Sequence, residues 1–154
     1  MVAGKGASTN NVHFLKTDPK ARYQGYKFYF REGLCWSDIN TTLLKCRKKQ
    51  KSINDVKSMS VFGVVDAVPE DYIITLINST IFSLYVDTFV NNTQTFQIND
   101  ARQLPIVVPS LPDIEASRRF VDRGICLKKS ECCNCTLESL QSEVDNYVLN
   151  IYNL

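Results

Sequence analysis

From Pro69 onward the apolar residues of this chain recur at helical spacing, whereas upstream they come in short runs. Ile73, Ile77, Ile81, Leu84 and Tyr85 share one face of a helix. Pro69 suits a first helical turn, and Glu70 and Asp71 complement the positive end of its dipole. Before it, residues 12–16, 27–31 and 61–65 read as strands separated by polar, basic loops. After it, residues 95–98 and 104–108 read as two more, the second bracketed by Pro105 and Pro109. Ser110 and Asp113, three apart, predict the cap of a helix running to about Lys129, with Gly124 as its weak point. Residues 130–134 form a linker. Thr136 then caps a last helix whose stripe, Leu137, Leu140, Val144, Tyr147 or Val148, and Ile151, must pack on the body or on another helix. Strands, one helix, two short strands and then helices is an α+β order rather than alternating βαβ. The expected fold is a small, twisted, mostly antiparallel sheet with a packed helix and a C-terminal helical section.

A chain of 154 residues, 44% hydrophobic and 22% charged, has the size and composition of one globular domain and not of a disordered segment. Its net charge of +2 is unevenly spread. Residues 1–60 hold 12 Lys/Arg against 4 Asp/Glu, and residues 61–154 hold 6 against 12. The densest run is Lys45, Arg47, Lys48, Lys49 and Lys51. By itself such a run reads as a solvated basic loop; the wider asymmetry points to an anionic partner such as a phosphate backbone. The first eleven residues are small and polar and read as a flexible start.

The N-terminus shows no apolar signal-peptide core, and no stretch reaches the ~18–20 apolar residues of a membrane span. Six cysteines and sequons at Asn40, Asn78, Asn91 and Asn134 allow a secreted glycoprotein domain as a rival reading. With nothing directing secretion, free thiols in a reducing cytoplasm are the expectation.

Catalytic patterns are missing. The six glycines form neither GxGxxG nor GxxxxGK[ST], so no backbone cradle for phosphates is expected. His13, the single histidine, would have to serve any Ser/His or Cys/His centre, and its place in a strand-like run beside Phe14 reads as structural. Cys126, Cys132, Cys133 and Cys135 lack the CxxC spacing that aims two sulfurs at one zinc, and read as thiols in a linker. Asp55-Val56-Lys57 has a nuclease-like D-x-K spacing without a partner acid. What remains is a binding surface. Residues 31–60 combine Lys/Arg with Trp36, Ser37, Asn40, Thr41, Thr42, Gln50, Ser52, Asn54 and Ser58, the residue types that contact phosphates and base edges.

Several segments, in order, resemble one family. Gly6-Ala7-Ser8-Thr9-Asn10-Asn11-x-x-Phe14-Leu15 resembles the G-[IL]-x-T-G-x-N-x-x-F opening of the target-recognition domain of adenine-specific DNA methyltransferases. The run from Tyr29 through Gly33, Leu34, Trp36 and Ser37 to Ile39 resembles their Y-F-x-x-G-[IL]-x-W-S-x-I strand. Ser58-Met59-Ser60-Val61-Phe62 stands at their G-x-S-I-F segment, Leu76-Ile77-Asn78-Ser79 at the L-L-N-S helix, and Thr95-Phe96-Gln97-Ile98 with Asp100 and Leu104-Pro105-Ile106 at x-F-Q-x-x-D-x-x-x-L-P-I. The tail from Leu140 to Leu154 is similar to the closing E-I-D-x-x-V-Y-x-L-Y-x-L helix. Thr9-Asn10 replaces the family's Thr-Gly, Lys57-Ser58 lacks the glycine of G-x-S-I-F, and the cysteine-rich linker lies outside the pattern. The relatives are C-terminal specificity domains of type IIG restriction enzymes and of bacterial phage-defence methyltransferases; type I specificity subunits are more distant.

The resemblance implies a cytoplasmic module that reads double-stranded DNA for a restriction-modification adenine N6 methyltransferase, with no catalytic centre, cofactor or metal of its own. S-adenosylmethionine and an Asn-Pro-Pro-Tyr motif would belong to a catalytic domain preceding it in a longer parent enzyme, and no such motif occurs here. Residues 1–110 would form the recognition body, and residues 111–154 a helical section packed on that body or on the parent. Backbone contacts are expected from Lys45, Arg47, Lys48, Lys49 and Lys51, and base reading from Arg31, Ser37, Asn40, Lys57 and Ser58; Trp36 and Phe96 are expected in the core. The alternative is a protein-interaction module that docks a partner subunit through its C-terminal helices.

Overall fold

The computed structural model describes residues 13, 16–19, 25–53, 57–129 and 135–154. The sheet is built around Gly33–Ser37 (β1), flanked by Cys46–Lys49 (β2) and Ser58–Val61 (β3) in the order β2-β1-β3, antiparallel on both sides. Strand alternation puts Leu34 and Trp36 of β1 on one face, at 0% and 1% exposure. Trp36 is opposite Cys46 on one side and Met59 on the other, so three strands present one apolar row to the helices. Gly33 is required by contact rather than by conformation, because a Cβ there would lie 2.2 Å from the Val61 carbonyl oxygen.

Among the described residues, five α-helices follow: Glu70–Ile77 (α1), Thr80–Tyr85 (α2), Ile98–Ala101 (α3), Leu111–Lys128 (α4) and Leu137–Tyr152 (α5), with a π-turn at Val86–Val90 extending α2. The α+β expectation is met, with a small antiparallel sheet and a helical C-terminal section. Core side chains from β1 and β2 (Leu34, Trp36, Cys46), α1 (Tyr72, Ile74, Leu76, Ile77), α2 (Phe82) and α5 (Leu140, Val144, Val148) form one cluster, which also includes Phe96. Trp36 Nε1 donates to the Phe96 carbonyl at 2.8 Å, and the two rings lie 5.4 Å apart. The polar handle of the largest core side chain is thereby satisfied.

The structure corrects several readings. The helix expected to run from Pro69 through Tyr85 is broken at Asn78-Ser79, and α1 bends by 65° relative to the α2–π segment. Ser79 causes the break locally: its Oγ accepts from Phe82 N at 3.2 Å, capping α2, and donates to the Leu76 carbonyl at 2.7 Å. Pro69 stands at the N-cap of α1, one position before the helix proper. Residues 27–31 are not a strand. Despite their aromatic β-formers, the chain makes a 3-10 turn at Tyr26–Phe28, entered at Gly25 (φ 73°) and left through Phe30 (φ 60°). The run expected at 61–65 shifts back to β3, and Gly63 at φ 66° turns the chain away. Residues 95–98 reduce to a single bridge, Ile39 to Thr95, because Gln97 N–H donates to Asp100 Oδ2 at 2.8 Å and starts α3. Residues 104–108 join no strand among the described residues, and proline at 105 lacks the N–H a ladder needs. His13, Lys16 and Thr17 are helical, with Thr17 Oγ1 donating to the His13 carbonyl at 2.9 Å; the rest of that predicted strand lies outside the described residues.

The C-terminal caps form as expected. Ser110 N and Oγ both donate to Asp113 Oδ2, at 2.9 and 2.6 Å, and Thr136 Oγ1 accepts from Ser139 N at 3.1 Å. Gly124 is tolerated inside α4 where that helix meets α5: a Cβ there would touch Leu140 Cδ2 at 3.6 Å. Among the described residues no single helix is long and apolar enough to cross a membrane.

Candidate nucleic-acid interface

The run Lys45, Arg47, Lys48, Lys49 and Lys51 is not a loop. Its centre is β2, an edge strand of the sheet, and pairing with β1 divides the cations between two faces. Arg47 lies opposite Cys35 and Lys49 opposite Gly33 on the outer face, while Lys48 lies opposite Leu34 on the helix side. Lys45, Arg47 and Lys51 are exposed.

The other two cations are engaged within the chain. Lys48 Nζ sits 2.9 Å from Asp71 Oδ1 on α1 and 4.0 Å from Asp122 on α4, so the acidic half of the sequence partly neutralises the basic half here. Lys49 is only 7% exposed. Its Nζ donates to Ser52 Oγ at 2.7 Å, Ser52 O at 3.1 Å and Gln50 O at 3.4 Å, and lies 5.7 Å from the Phe62 ring centroid. A buried ammonium persists only when its protons find acceptors, and this one has three. Lys49 is thus placed as a structural cation that organises the turn after β2, with its ammonium turned into the chain rather than presented to a phosphate.

The base-reading candidates fall into two groups. Ser37, Asn40, Lys57 and Ser58 gather at one end of the sheet, where Ser37 pairs with Ser58 and Asp38 N donates to Lys57 O at 3.0 Å. Within that group Asn40 Nδ2 donates to Ser37 O at 3.1 Å and Ser58 Oγ to Trp36 O at 3.2 Å, so both side chains serve the backbone. Lys57 remains 68% exposed beside Asp38, at 3.9 Å. Arg31 lies beyond the opposite end of β1, roughly 20 Å away along an extended chain. That separation spans about six base pairs of duplex, so Arg31 and Lys57 would meet different parts of one site.

Arg31 belongs instead to a stack that sequence reading did not find. Its guanidinium lies 5.3 Å from the Phe28 centroid, Phe28 stacks on Phe62 at 5.6 Å and 17°, and Lys49 Nζ lies 5.7 Å from the Phe62 centroid. Lys16 similarly covers Tyr26 at 4.9 Å. The aromatic run in residues 26–30 was the available signal, but strand propensity hid it. Phe28 and Phe62 also wall an open apolar groove of about 670 Å³ along β3, together with Met59, Ile98 and Ile106. A second groove of about 640 Å³ beside Lys48 is lined by Glu32, Asp66, Glu70 and Asp71, and burial with the nearby Asp71 raises the Glu70 carboxyl above its ordinary range.

No group of three or more His, Cys, Asp or Glu among the described residues is placed to hold a metal. Cys35, Cys46 and Cys135 are free. Cys126 is disulfide-bonded, which corrects the free-thiol expectation at that position and removes its sulfur from any thiolate site. Cys132 and Cys133 lie outside the described residues, as does Asp55 of the D-x-K match. Compared with protein-family models and with curated proteins, the chain matches none.

Proposed function

We propose that this chain recognises double-stranded DNA through the basic edge of its sheet, as the specificity module of an adenine-specific methyltransferase. One observation carries the reading. Arg47 stands exposed on the edge strand β2, with Lys45 exposed just before it and Lys51 just after it, in a segment from 45 to 53 that has no carboxylate. Cations on and beside a fixed strand track a phosphate backbone better than the same charges on a loop, because less backbone ordering entropy is lost on binding. Lys57 and Ser37, at one end of the same sheet, and Arg31, beyond the other, would then approach base edges. The chemistry of methyl transfer, with S-adenosylmethionine, would lie in a separate catalytic domain.

The ordered family-like motifs support the same reading. The alternative of a partner-docking helix loses its motive, since Leu140, Val144 and Val148 of the C-terminal stripe are buried in the core of this chain. The test is selection from a pool of random duplexes. Enrichment of a defined sequence by the chain, alone or joined to a catalytic domain, is expected; retention of duplexes without any enrichment would make it a nonspecific DNA binder and refute specificity.

A further inference from the structure

Phe30 has a backbone conformation that its own side chain does not favour. It is one of two non-glycine residues with positive φ among the described residues, at 60°, where a Cβ crowds the following carbonyl. Glycine or asparagine usually takes such a position. A bulky ring there is repaid in most folds by packing, yet Phe30 is 62% exposed. The conformation is held from below instead. Phe30 N donates to Ser52 O at 3.0 Å, and the same Ser52 accepts the buried Lys49 ammonium at Oγ and O. The chain thus uses a buried cation to fix a turn that holds an aromatic ring out in solvent.

The ring's surroundings define what it suits. Phe28, 44% exposed and braced by Phe62, and Tyr26, 40% exposed under Lys16, lie within four residues of it. Residues 25–31 and 45–53 together carry seven Lys/Arg and no Asp or Glu. Exposed rings interleaved with cations, with Glu32 the one carboxylate that directly follows, form a surface for a π-face that carries negative charge beside it.

We propose that Phe30 is a stacking residue for an unstacked nucleobase, with Lys27 and Lys51 on the adjoining phosphates. This rests on the nucleic-acid reading above and extends it from the edge strand β2 to the turn at its end. The base could come from a single strand or from a duplex step opened by the ring as a wedge. Lys49 acts as a positioning residue through Ser52.

The test measures binding of the chain to a 12-nucleotide single strand and to a duplex, each with one 2-aminopurine, alongside thermal melting by circular dichroism. Phe30→Gly removes the ring while giving the backbone the residue that position favours. It is expected to hold or raise the melting temperature, to weaken binding about five- to 150-fold, and to leave the salt slope unchanged because no charge is lost. Phe30→Trp is expected to bind like the parent chain. Quenched 2-aminopurine in the single strand identifies a stacking platform, and brightened 2-aminopurine in the duplex identifies a wedge; either supports the proposal. Equal binding by Phe30→Gly and the parent chain, or a lowered melting temperature in that variant, overturns it while leaving the edge-strand reading intact. Failure of the parent chain to bind either probe overturns both.

Discussion

The side-chain amide of Asn78 pairs with both backbone groups of Cys46: Cys46 N donates to Oδ1 at 2.7 Å, and Nδ2 donates to the Cys46 carbonyl at 2.9 Å. One amide thereby does what a fourth strand would do at the outer edge of β2. Ser83 Oγ extends the cover by accepting from Leu44 N at 3.0 Å. An open edge is a template for unwanted pairing, and this one is covered at Cys46 from the helix break. Asn78→Ala leaves a donor and an acceptor of a buried residue unpaired. It is expected to lower stability by about 1–3 kcal/mol in urea denaturation, with increased self-association. Unchanged stability would show that solvent satisfies Cys46 equally well.

The last helix belongs to the core. Leu140 packs against α4 at Gly124, and Asp145 accepts from both N and Oγ1 of Thr80 at 2.7 Å, tying α5 to the start of α2. Arg123 and Glu143 add a bidentate pair at 2.6 and 2.8 Å. Leu140→Ala is expected to cost about 2–5 kcal/mol, and removal of residues 136–154 to yield insoluble protein. A truncated chain that stays folded would return the helix to the role of a docking element.

Stability should fall at both ends of the pH range. The Ser110 hydroxyl and N–H, with Tyr147 OH, hold the Asp113 carboxyl below its ordinary 3.8. A depressed folded value gives stability that is present above about pH 4 and lost as pH falls through the folded value. On the alkaline side, burial pushes the Cys46 thiol from 9.0 up to about 12, and burial raises Tyr147 from 10.0 to about 12. Their contribution is full below the unfolded values and declines as pH rises above 9, where the unfolded chain sheds protons the folded chain keeps. Urea midpoints across pH 3–11 would trace both limbs, and Asp113→Asn should weaken the acid limb while leaving the alkaline limb unchanged. An acid limb unchanged in that variant would remove Asp113 as its cause.

The helical half was readable because its signals are local. Ser110 with Asp113, Thr136 with Ser139, and the Leu140, Val144, Val148 spacing all act within four residues. The strands were harder to read, because their rules are set across the sheet; β1 was legible within the motif from Tyr29 to Ile39, and β2 was not. Nothing in Cys-Arg-Lys-Lys suggests a strand, and β2 exists because β1 pairs with it and Asn78 closes its far side. Gly33, Leu34, Trp36, Asn78, Ser79, Phe96, Asp100 and Leu104 each hold a position the fold needs by close contact, burial or hydrogen bond. Among the site residues, exposure was legible at Lys45, Arg47 and Lys51, whereas the burial of Lys49 and the ion pair of Lys48 depend on partners at other strands and helices.

The central claim is that Lys45, Arg47 and Lys51 contact phosphate whereas Lys49 does not, and a salt titration of duplex binding tests it most directly. Each phosphate contact contributes about 0.9 to the slope of log K against log salt concentration. Replacing Lys45, Arg47 and Lys51 together with Ala is expected to lower that slope by about 2.7 and to leave the melting temperature nearly unchanged. Lys49→Ala is expected to lower the melting temperature with little change in slope. Salt-independent binding, or a slope that the triple variant leaves intact, would contradict the assignment of this edge to DNA.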